Sequence, residues 1–541
     1  MPAIQPATDY YRFCPGEEQI KLSNAVCRGR RQAHYPKCAG CQFNDDERAA
    51  IPVTTHHDRA AVLSQLESLF RPHDVLGTYP APLSTDAAWR IGHAAGQYLH
   101  GRLRGFDRAD PSIRSLIVGN DGRQDAEALE SALIEGILST GIDVVKIGVV
   151  DTPQLYFAVS QFGACGGIQI TGGRHPLSYH GMKICAARGF PIASETGLAS
   201  IRDIALRVPR HRTGTTGTVK TTDLSDAYRE FVRSRLPPPP DSIAAGLNGD
   251  TYRLSRELNI VVNACGGVAA KVFPMLFDGV IGLNWNPLFF AAQDALTAQL
   301  DPARPGNLNA LRKAVQTHTA DFGVGFDGDA DRLLFVDEKG TLVRPDLIAT
   351  LLARRFLERE AGAAIVFDHR FSSLVSDEVL RAGGLPIRER VGHVFIKKTM
   401  TERHAVFGAD LAGRYYFRDN GYCENAMLAV VQMMNLLCET GRKLSDLVRP
   451  IARNRSFGEL RVSCRDGERA LRRITSAHAD AQIEQLDGIT VRYPDWWFNL
   501  RQPGGAAESE LHVLLEARTR KLVDERLAEL ESMLKDGENS A

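Results

Sequence analysis

Strand-like and helix-like segments alternate along most of this 541-residue chain, and this alternation restricts the fold more than any other feature. The run SLIVG (115–119) is short and apolar, as buried strands are. The segment DAEALESALIEGILSTG (125–141) has apolar residues at helical spacing and ends at a glycine. DVVKIGVV (143–150) follows as a strand rich in β-branched residues. Alternation of this kind predicts an α/β fold, a largely parallel sheet with helices on both faces.

Length and composition describe an ordinary globular protein. At about 150 residues per domain, the length predicts three to four domains. Lys plus Arg and Asp plus Glu number 65 each, so neither nucleic acid nor an anionic membrane surface is expected as a partner. The chain has no uninterrupted apolar run long enough to cross a bilayer, and its N-terminus has no secretory pattern. The cytoplasm is therefore the expected location.

Three aspartates alternate with small residues after the apolar run 322–326. They are Asp327, Asp329 and Asp331, separated by Gly328 and Ala330. The small residues allow the three carboxylates to converge on one hard cation, and carboxylate oxygen is the ligand that Mg²⁺ prefers. The alternative is a turn whose carboxylates are solvated. We expect a magnesium site.

Four of the ten cysteines lie close together near the N-terminus. They are Cys14, Cys27, Cys38 and Cys41, the last two in a C-x-x-C pattern. Four thiolates can hold zinc or an iron–sulfur cluster, and sequence does not separate the two. Free thiols or a redox pair are the alternative. The other six cysteines are scattered through apolar segments and are predicted to be buried thiols.

Several segments, taken together and in order, resemble the α-D-phosphohexomutase family of phosphoglucomutases and phosphomannomutases. They are 118–158, 258–277, 320–346, 390–400 and 407–427. The resemblance covers the chain from about residue 70 to about residue 520. It implies a four-domain fold, with three α/β/α units and a smaller C-terminal α+β domain, preceded here by the Cys-rich segment. The expected boundaries are 1–50 for that segment and 70–212, 219–318, 319–446 and 447–535 for the domains.

The loop that carries the family's nucleophile is altered in this chain. The family has a phosphoserine in a stretch such as T-A-S-H-N-P, which relays the phosphoryl group. The matching stretch is TGGRHP (171–176), so Gly173 stands where the nucleophile belongs. Arg174 and His175 replace the family's His and Asn. A phosphohistidine at His175 is one alternative, and an anion pocket beside Arg174 is another.

The other active-site loops are preserved to different extents. By resemblance, Arg123 and Lys397 persist as catalytic residues, His393 persists as a substrate-binding residue, and Arg332 is placed to pair with a substrate phosphate. Asp410 and Arg414 replace the family's Glu and His in the sugar loop. Arg501 remains in a phosphate loop that has lost its hydroxyl and amide side chains.

Two functional hypotheses follow. The first is a catalytically degenerate family member of carbohydrate metabolism that binds Mg²⁺ and a hexose phosphate and acts as a sensor, a scaffold or the partner of another protein. The second is an active phosphoglucomutase or phosphomannomutase, an isomerase that uses a non-standard phosphoryl carrier or a diffusible hexose bisphosphate. The losses concern phosphate-handling groups and spare the framework, which favours the first.

Overall fold

The structure is a computed structural model that describes residues 11–13, 21–23, 27, 30, 56–102, 114–208, 217–237, 252–464, 466–502 and 510–535. These residues form two compact units, 1–64 and 65–541. In the first unit the strands Tyr11–Phe13 and Lys21–Ser23 pair antiparallel. Cys27 is buried there as a free thiol. The other three cysteines of the predicted N-terminal site lie outside the described residues.

The first sheet of the second unit has six strands in mixed orientation. Its order is Val75–Thr78, Tyr179–Ala186, Gly166–Ile170, Ser115–Asn120, Asp143–Val149 and Val219–Thr221. The helix His56–Ser68 runs across the division between the two units. The other helices of this part of the chain are Thr85–Arg102, Ala126–Leu138, Thr152–Gln161 and Leu198–Arg207. The strand and helix bounds at 115–150 agree closely with the sequence prediction.

The second sheet has five strands and includes both strands that flank the aspartate loop. Its order is Ile281–Leu288, Arg253–Asn263, Phe322–Phe326, Leu333–Asp337 and Leu342–Val343. Its helices are Ser225–Arg233, Ala269–Phe277, Asp294–Ala298 and Pro305–Thr317.

Two of the expected domain boundaries therefore differ from the structure. A division at 318/319 would separate Phe322–Phe326 from its parallel neighbour Arg253–Asn263. The aspartate loop consequently closes the second α/β unit and does not open the third. The expected start of the second domain at residue 219 also differs from the structure. Val219–Thr221 pairs in parallel with Asp143–Val149 and so belongs to the first sheet.

The third and fourth sheets complete the unit. The third has the order Leu385–Glu389, Ala364–Asp368, Phe407–Ala409, Tyr415–Phe417 and Cys423–Glu424. Its helices are Pro345–Arg359, Ser373–Arg381, His393–Arg403, Ala426–Thr440 and Leu444–Val448. The fourth sheet is antiparallel, with the order Arg455–Ser463, Glu510–Ala517, Trp496–Arg501, Ile489–Arg492 and Gln482–Glu484. It carries the helices Gly467–Ala477 and Arg520–Lys535.

One continuous hydrophobic core runs through the second and third α/β units. It contains Phe273 and Phe322 from the second α/β unit and Phe407 and Met427 from the third α/β unit. This shared core fixes the aspartate loop relative to the loops of the third unit. Among the described residues, every helix is too short or too polar to cross a membrane.

Candidate functional site

The aspartate loop connects two antiparallel strands, Phe322–Phe326 and Leu333–Asp337, and its three carboxylates converge. Asp327, Asp329 and Asp331 are each at most 1% exposed. One carboxylate oxygen from each lies within 4.8 Å of the other two. The hairpin therefore brings together the three residues that the sequence pattern singled out.

Burial and mutual repulsion make the ionised form of this cluster unfavourable unless positive charge lies beside it. Burial raises the pKa of Asp327 well above its usual range, and Asp331 and Asp329 add to the effect. Burial alone would also raise the pKa of Asp331, but Arg414 and Lys183 hold it well below its usual range. A cation at the centre of the loop thus stabilises the ionised cluster.

Lys183 supplies part of that charge, and sequence reasoning missed it. Its Nζ lies 2.5 Å from Asp329 Oδ2 and 2.5 Å from Asp331 Oδ2. Although burial lowers the pKa of Lys183, the two aspartates raise it above the ordinary value, so the ammonium group stays charged. A lysine inside the mostly apolar strand Tyr179–Ala186 is the pattern that would have revealed it.

The first residue of a helix orients Asp329. The helix Thr152–Gln161 begins after Asp151, whose side chain accepts a hydrogen bond from the Gln154 N–H at 2.8 Å. The Thr152 hydroxyl donates to Asp329 Oδ2, and the Thr152 N–H donates to the Asp329 carbonyl oxygen at 3.1 Å. Asp329 is therefore held by the first α/β unit as well as by its own loop.

The carboxylates fit a divalent metal ion. Asp329 Oδ1 and Asp331 Oδ1 are buried and have no hydrogen-bond partner among the described residues. Buried oxygens without partners are costly, and a hard cation satisfies them. Asp327, Asp329 and Asp331 would hold Mg²⁺, which when bound neutralises charge on phosphate oxygens.

Gly173 faces the aspartate loop directly. A Cβ at residue 173 would lie 3.5 Å from Asp329 Oδ1, and apart from its two chain neighbours no other atom of the described residues lies within 4 Å. The backbone φ of Gly173 is +52°, in the left-handed region where a side chain is strained. The loop therefore presents an empty position to the aspartates, in a conformation suited to glycine.

Arg123 holds the Gly173 loop in place. Its Nε donates to Asp121 at 2.9 Å. Its Nη1 donates to the carbonyl oxygens of His175, Pro176 and Tyr179 at 2.9–3.1 Å, and its Nη2 donates to that of Gly173. These bonds occupy the guanidinium, so its contacts are those of a positioning residue, whereas the sequence suggested a catalytic one.

The side chains that offer an alternative nucleophile are engaged or exposed. His175 Nδ1 lies 3.0 Å from the Gly172 carbonyl oxygen, and its ring packs 5.6 Å from that of Tyr179. Thr171 donates its hydroxyl to Asp121. Ser178 is exposed, and its hydroxyl makes no hydrogen bond to the aspartate loop in the described structure.

The side chains of the loop predicted to bind the sugar make hydrogen bonds to other residues of the protein. Arg414 Nε donates to Asp331 at 3.1 Å and Arg414 Nη1 donates to Asp410 at 3.4 Å. Tyr416 also donates its hydroxyl to Asp410, at 2.9 Å. The Asp410 carboxylate, only 4% exposed, is thus an internal ion-pair partner.

Arg501 is likewise paired inside the fourth domain. Its Nη2 donates to Glu459 Oε1 at 2.7 Å, and Arg370 also approaches that oxygen. Burial would raise the pKa of Glu459, but Arg370 and Arg501 lower it to about 2. Residues 503–507 of the predicted phosphate loop, which runs from 501 to 507, lie outside the described residues.

Three further residues were predicted for the site: Lys397, His393 and Arg332. Lys397 is buried, with Nζ 2.6 Å from Glu424 and 3.8 Å from the centre of the Tyr156 ring. His393 is half-buried, and its ring centre lies 5.7 Å from that of His73. Burial lowers the pKa of both histidines, so both are neutral at pH 7. Arg332 is 22% exposed and lies 3.6 Å from Asp327.

These contacts define a multidomain α/β protein with a buried carboxylate triad where its first and second α/β units meet. Comparison with known proteins identifies its family. Residues 67–209, 241–340 and 344–454 match domains I, II and III of Phosphoglucomutase/phosphomannomutase. The chain belongs to the phosphoglucomutase/phosphomannomutase family.

Curated and solved relatives agree with this assignment. The chain is 31% identical over 471 residues to a phosphomannomutase of Salmonella montevideo, covering 84% of this chain and 98% of that protein. It is 30% identical over 471 residues, with the same coverage, to a phosphomannomutase of Escherichia coli K12. A solved phosphoglucomutase/phosphomannomutase family protein of Burkholderia thailandensis superposes with a TM-score of 0.76 at 25% identity, covering 88% of this chain and 98% of that one.

Proposed function

We propose that this chain is a catalytically degenerate phosphohexomutase that binds Mg²⁺ and a hexose phosphate. The observation that carries the proposal is the empty position at Gly173, opposite Asp329. A mutase that relays a phosphoryl group covalently needs a side chain there to store it between half-reactions. The left-handed backbone at Gly173 supports a loop adapted to glycine.

Two further contacts support lost turnover. Asp410 is bonded to Arg414 and Tyr416, and Arg501 is bonded to Glu459. Binding a sugar or its distal phosphate through these residues would require breaking internal ion pairs first. The intact aspartate triad supports retained metal binding. A chain that binds its ligand without turnover would act through another protein that it binds.

The alternative is an active phosphoglucomutase or phosphomannomutase that uses a diffusible hexose bisphosphate. It is favoured by the similarity to curated phosphomannomutases along 84% of the chain. In this version Arg174, Lys183 and the metal would hold the donor without a covalent intermediate.

A mutase assay separates the two. Purified full chain is incubated with mannose 1-phosphate or glucose 1-phosphate, Mg²⁺ and the corresponding 1,6-bisphosphate, and formation of the 6-phosphate is followed. We expect no turnover above that of an Asp329→Asn control. Turnover that depends on bisphosphate and is abolished by Asp329→Asn would establish the alternative.

A further inference from the structure

A cavity separate from the candidate site lies where the end of the helix Ser225–Arg233 meets two helices of the third α/β unit, Pro345–Arg359 and Ala426–Thr440. Its volume is about 420 Å³, within the range of small-molecule sites in proteins. None of the described residues that line it belongs to the aspartate loop or to the Gly173 loop. The proposed function therefore leaves this cavity without a role.

One wall of the cavity carries a buried acceptor that lacks a donor. Asn435 is 3% exposed, and its Nδ2 donates to the Arg235 carbonyl oxygen at 2.8 Å. Because a carbonyl oxygen can only accept, this bond determines which side of the amide is the oxygen. Asn435 Oδ1 is buried and has no hydrogen-bond partner among the described residues. A buried oxygen of this kind is costly unless a donor reaches it.

Arg235 brings a positive charge to the same cavity. Its guanidinium lies 3.8 Å from the centre of the Phe231 ring, and its Nη1 donates to the Phe231 carbonyl oxygen and to the Ser234 hydroxyl. These contacts, within the described part of the chain, include no carboxylate. Burial lowers the pKa of Arg235, and Asp419 opposes this change. An anion bound beside the guanidinium would stabilise its charged form.

The other arginines that line the cavity are already paired. Arg355 and Arg359 both donate to the carboxylate of Glu439. Arg418 donates to Glu360 through two bonds of 2.8 and 2.9 Å. The arginine next to the unpartnered acceptor is therefore the one whose charge no carboxylate of the described residues matches at close range.

Apolar side chains supply much of the remaining wall. They are Leu236, Phe356, Val406, Phe417 and Leu428, and all except Phe356 are at most 7% exposed. A ligand that fits must therefore bring an apolar body as well as an anionic group and a hydrogen-bond donor.

We propose that this cavity binds a small organic anion whose opposite end carries an O–H or N–H donor. Arg235 binds the carboxylate or phosphate group, and Asn435 Oδ1 accepts the hydrogen bond. The apolar side chains pack against the body of the molecule. This site does not depend on the proposed function, and no bond is made or broken there.

Calorimetric titration of the full chain in EDTA tests the site. 4-Hydroxyphenylacetate and phenylacetate are matched probes, because they differ only in the hydroxyl that would donate to Asn435. We expect the first to bind about ten-fold or more tightly than the second, which leaves the buried acceptor unpaired. Arg235→Ala should weaken binding about ten-fold or more, because a charge-assisted hydrogen bond is lost. Arg461→Ala, which removes a side chain 72% exposed in the fourth domain, should bind as wild type.

A third probe and a second variant complete the test. Tighter binding of adenosine 5′-phosphate than of 4-hydroxyphenylacetate, again weakened by Arg235→Ala, supports a phosphate as the anionic group, and the reverse order supports a carboxylate. Ser234→Trp places a large side chain at an exposed position of the cavity wall and should weaken binding of both probes.

The proposal is overturned if neither 4-hydroxyphenylacetate nor adenosine 5′-phosphate binds, or if the hydroxyl of the first makes no difference to its affinity. It is also overturned if Arg235→Ala and Ser234→Trp both bind as wild type. Such a failure would leave the proposed function standing, because none of these residues belongs to the aspartate loop. Turnover in the mutase assay, conversely, would not alter these titrations.

Discussion

Single residues determine the chemistry expected of this site, and Gly173 matters most. It has no side chain at the position where the family has a phosphoserine. Gly173 lies in the loop that precedes the strand Tyr179–Ala186, and Lys183 lies in that strand. Both approach the Asp329 carboxylate. One leaves space in front of Asp329, and the other supplies a positive charge to it. Two predictions follow from the charge of Lys183 and of Asp329.

Lys183→Met should make stability depend on metal. The change leaves buried carboxylates without their ammonium partner, so we expect a loss of about 3 kcal/mol in the free energy of unfolding in EDTA. Mg²⁺ should restore most of it, because the ion replaces the missing charge. Urea unfolding in EDTA and in Mg²⁺ measures both values. Lys220→Met, at an exposed strand position, is the control. An equal loss with and without Mg²⁺ would refute the shared role of lysine and metal.

Asp329→Asn should reduce Mg²⁺ affinity by about ten-fold or more, since an amide is a poorer ligand for a hard cation than a carboxylate. Wild type itself should bind Mg²⁺ more weakly than relatives that add a phosphoserine oxygen to the metal's ligands. Isothermal titration of Mg²⁺ into wild type, Asp329→Asn and Asp226→Asn, a 90% exposed control, gives the comparison. Identical heats from wild type and Asp329→Asn would exclude the triad as the metal site.

Secondary-structure elements were more predictable than the sheets they form. The strand Ser115–Asn120 and the helix Ala126–Leu138 follow from local periodicity. The sheet partner of Phe322–Phe326 does not, because it pairs with Arg253–Asn263, about 60 residues earlier in the chain. The contact of Thr152 with Asp329 is equally non-local and spans 177 residues. The triad itself was predictable because its three members lie within one hairpin.

The N-terminus of the helix Thr152–Gln161 should make stability depend on pH. Burial raises the pKa of Asp151 from 3.8 to about 8, so the folded state binds a proton that the unfolded state releases. The stabilising contribution is complete below about pH 4 and is lost as the pH rises towards 8. Asp151→Asn keeps a capping oxygen and cannot ionise. At pH 8.5 in EDTA it should exceed wild type in unfolding free energy by at least about 1 kcal/mol.

At pH 4 the two proteins should unfold with the same free energy, because Asp151 is then protonated in the folded state. Urea denaturation across this range gives the curve. A constant difference between wild type and Asp151→Asn at all pH values would contradict the raised pKa.

The whole molecule comprises four domains in one compact unit and a separate N-terminal unit. The family resemblance predicted the four-domain fold, because collinear motifs survive changes in individual loops. It said nothing of the Cys-rich segment, which the resemblance does not cover. The internal ion pairs of Asp410 and Arg501 were also beyond sequence, since each depends on a partner that folding brings near.

The N-terminal cysteines give a prediction at this scale. If Cys14, Cys27, Cys38 and Cys41 bind zinc or an iron–sulfur cluster, anaerobically purified protein should contain that metal in stoichiometric amount. Replacing Cys38 and Cys41 by Ser should release it and leave the unit 65–541 folded, because the two units are separately compact. Elemental analysis and circular dichroism report the two effects. Protein without zinc or iron would leave these residues as free thiols or a redox pair.

Covalent phosphorylation of the loop at residues 171–180 tests the central claim most directly. Full-length protein is incubated with a hexose 1,6-bisphosphate and Mg²⁺, and its intact mass and peptides are measured under conditions that preserve phosphohistidine. With Gly173 at the nucleophile position, we predict an unmodified loop. Gly173→Ser with Arg174→His should gain a trace of phosphoserine at most, because the backbone there is left-handed and the sugar and phosphate loops stay altered. A wild-type phosphopeptide at His175 or Ser178, formed at a rate that matches turnover, would contradict the account.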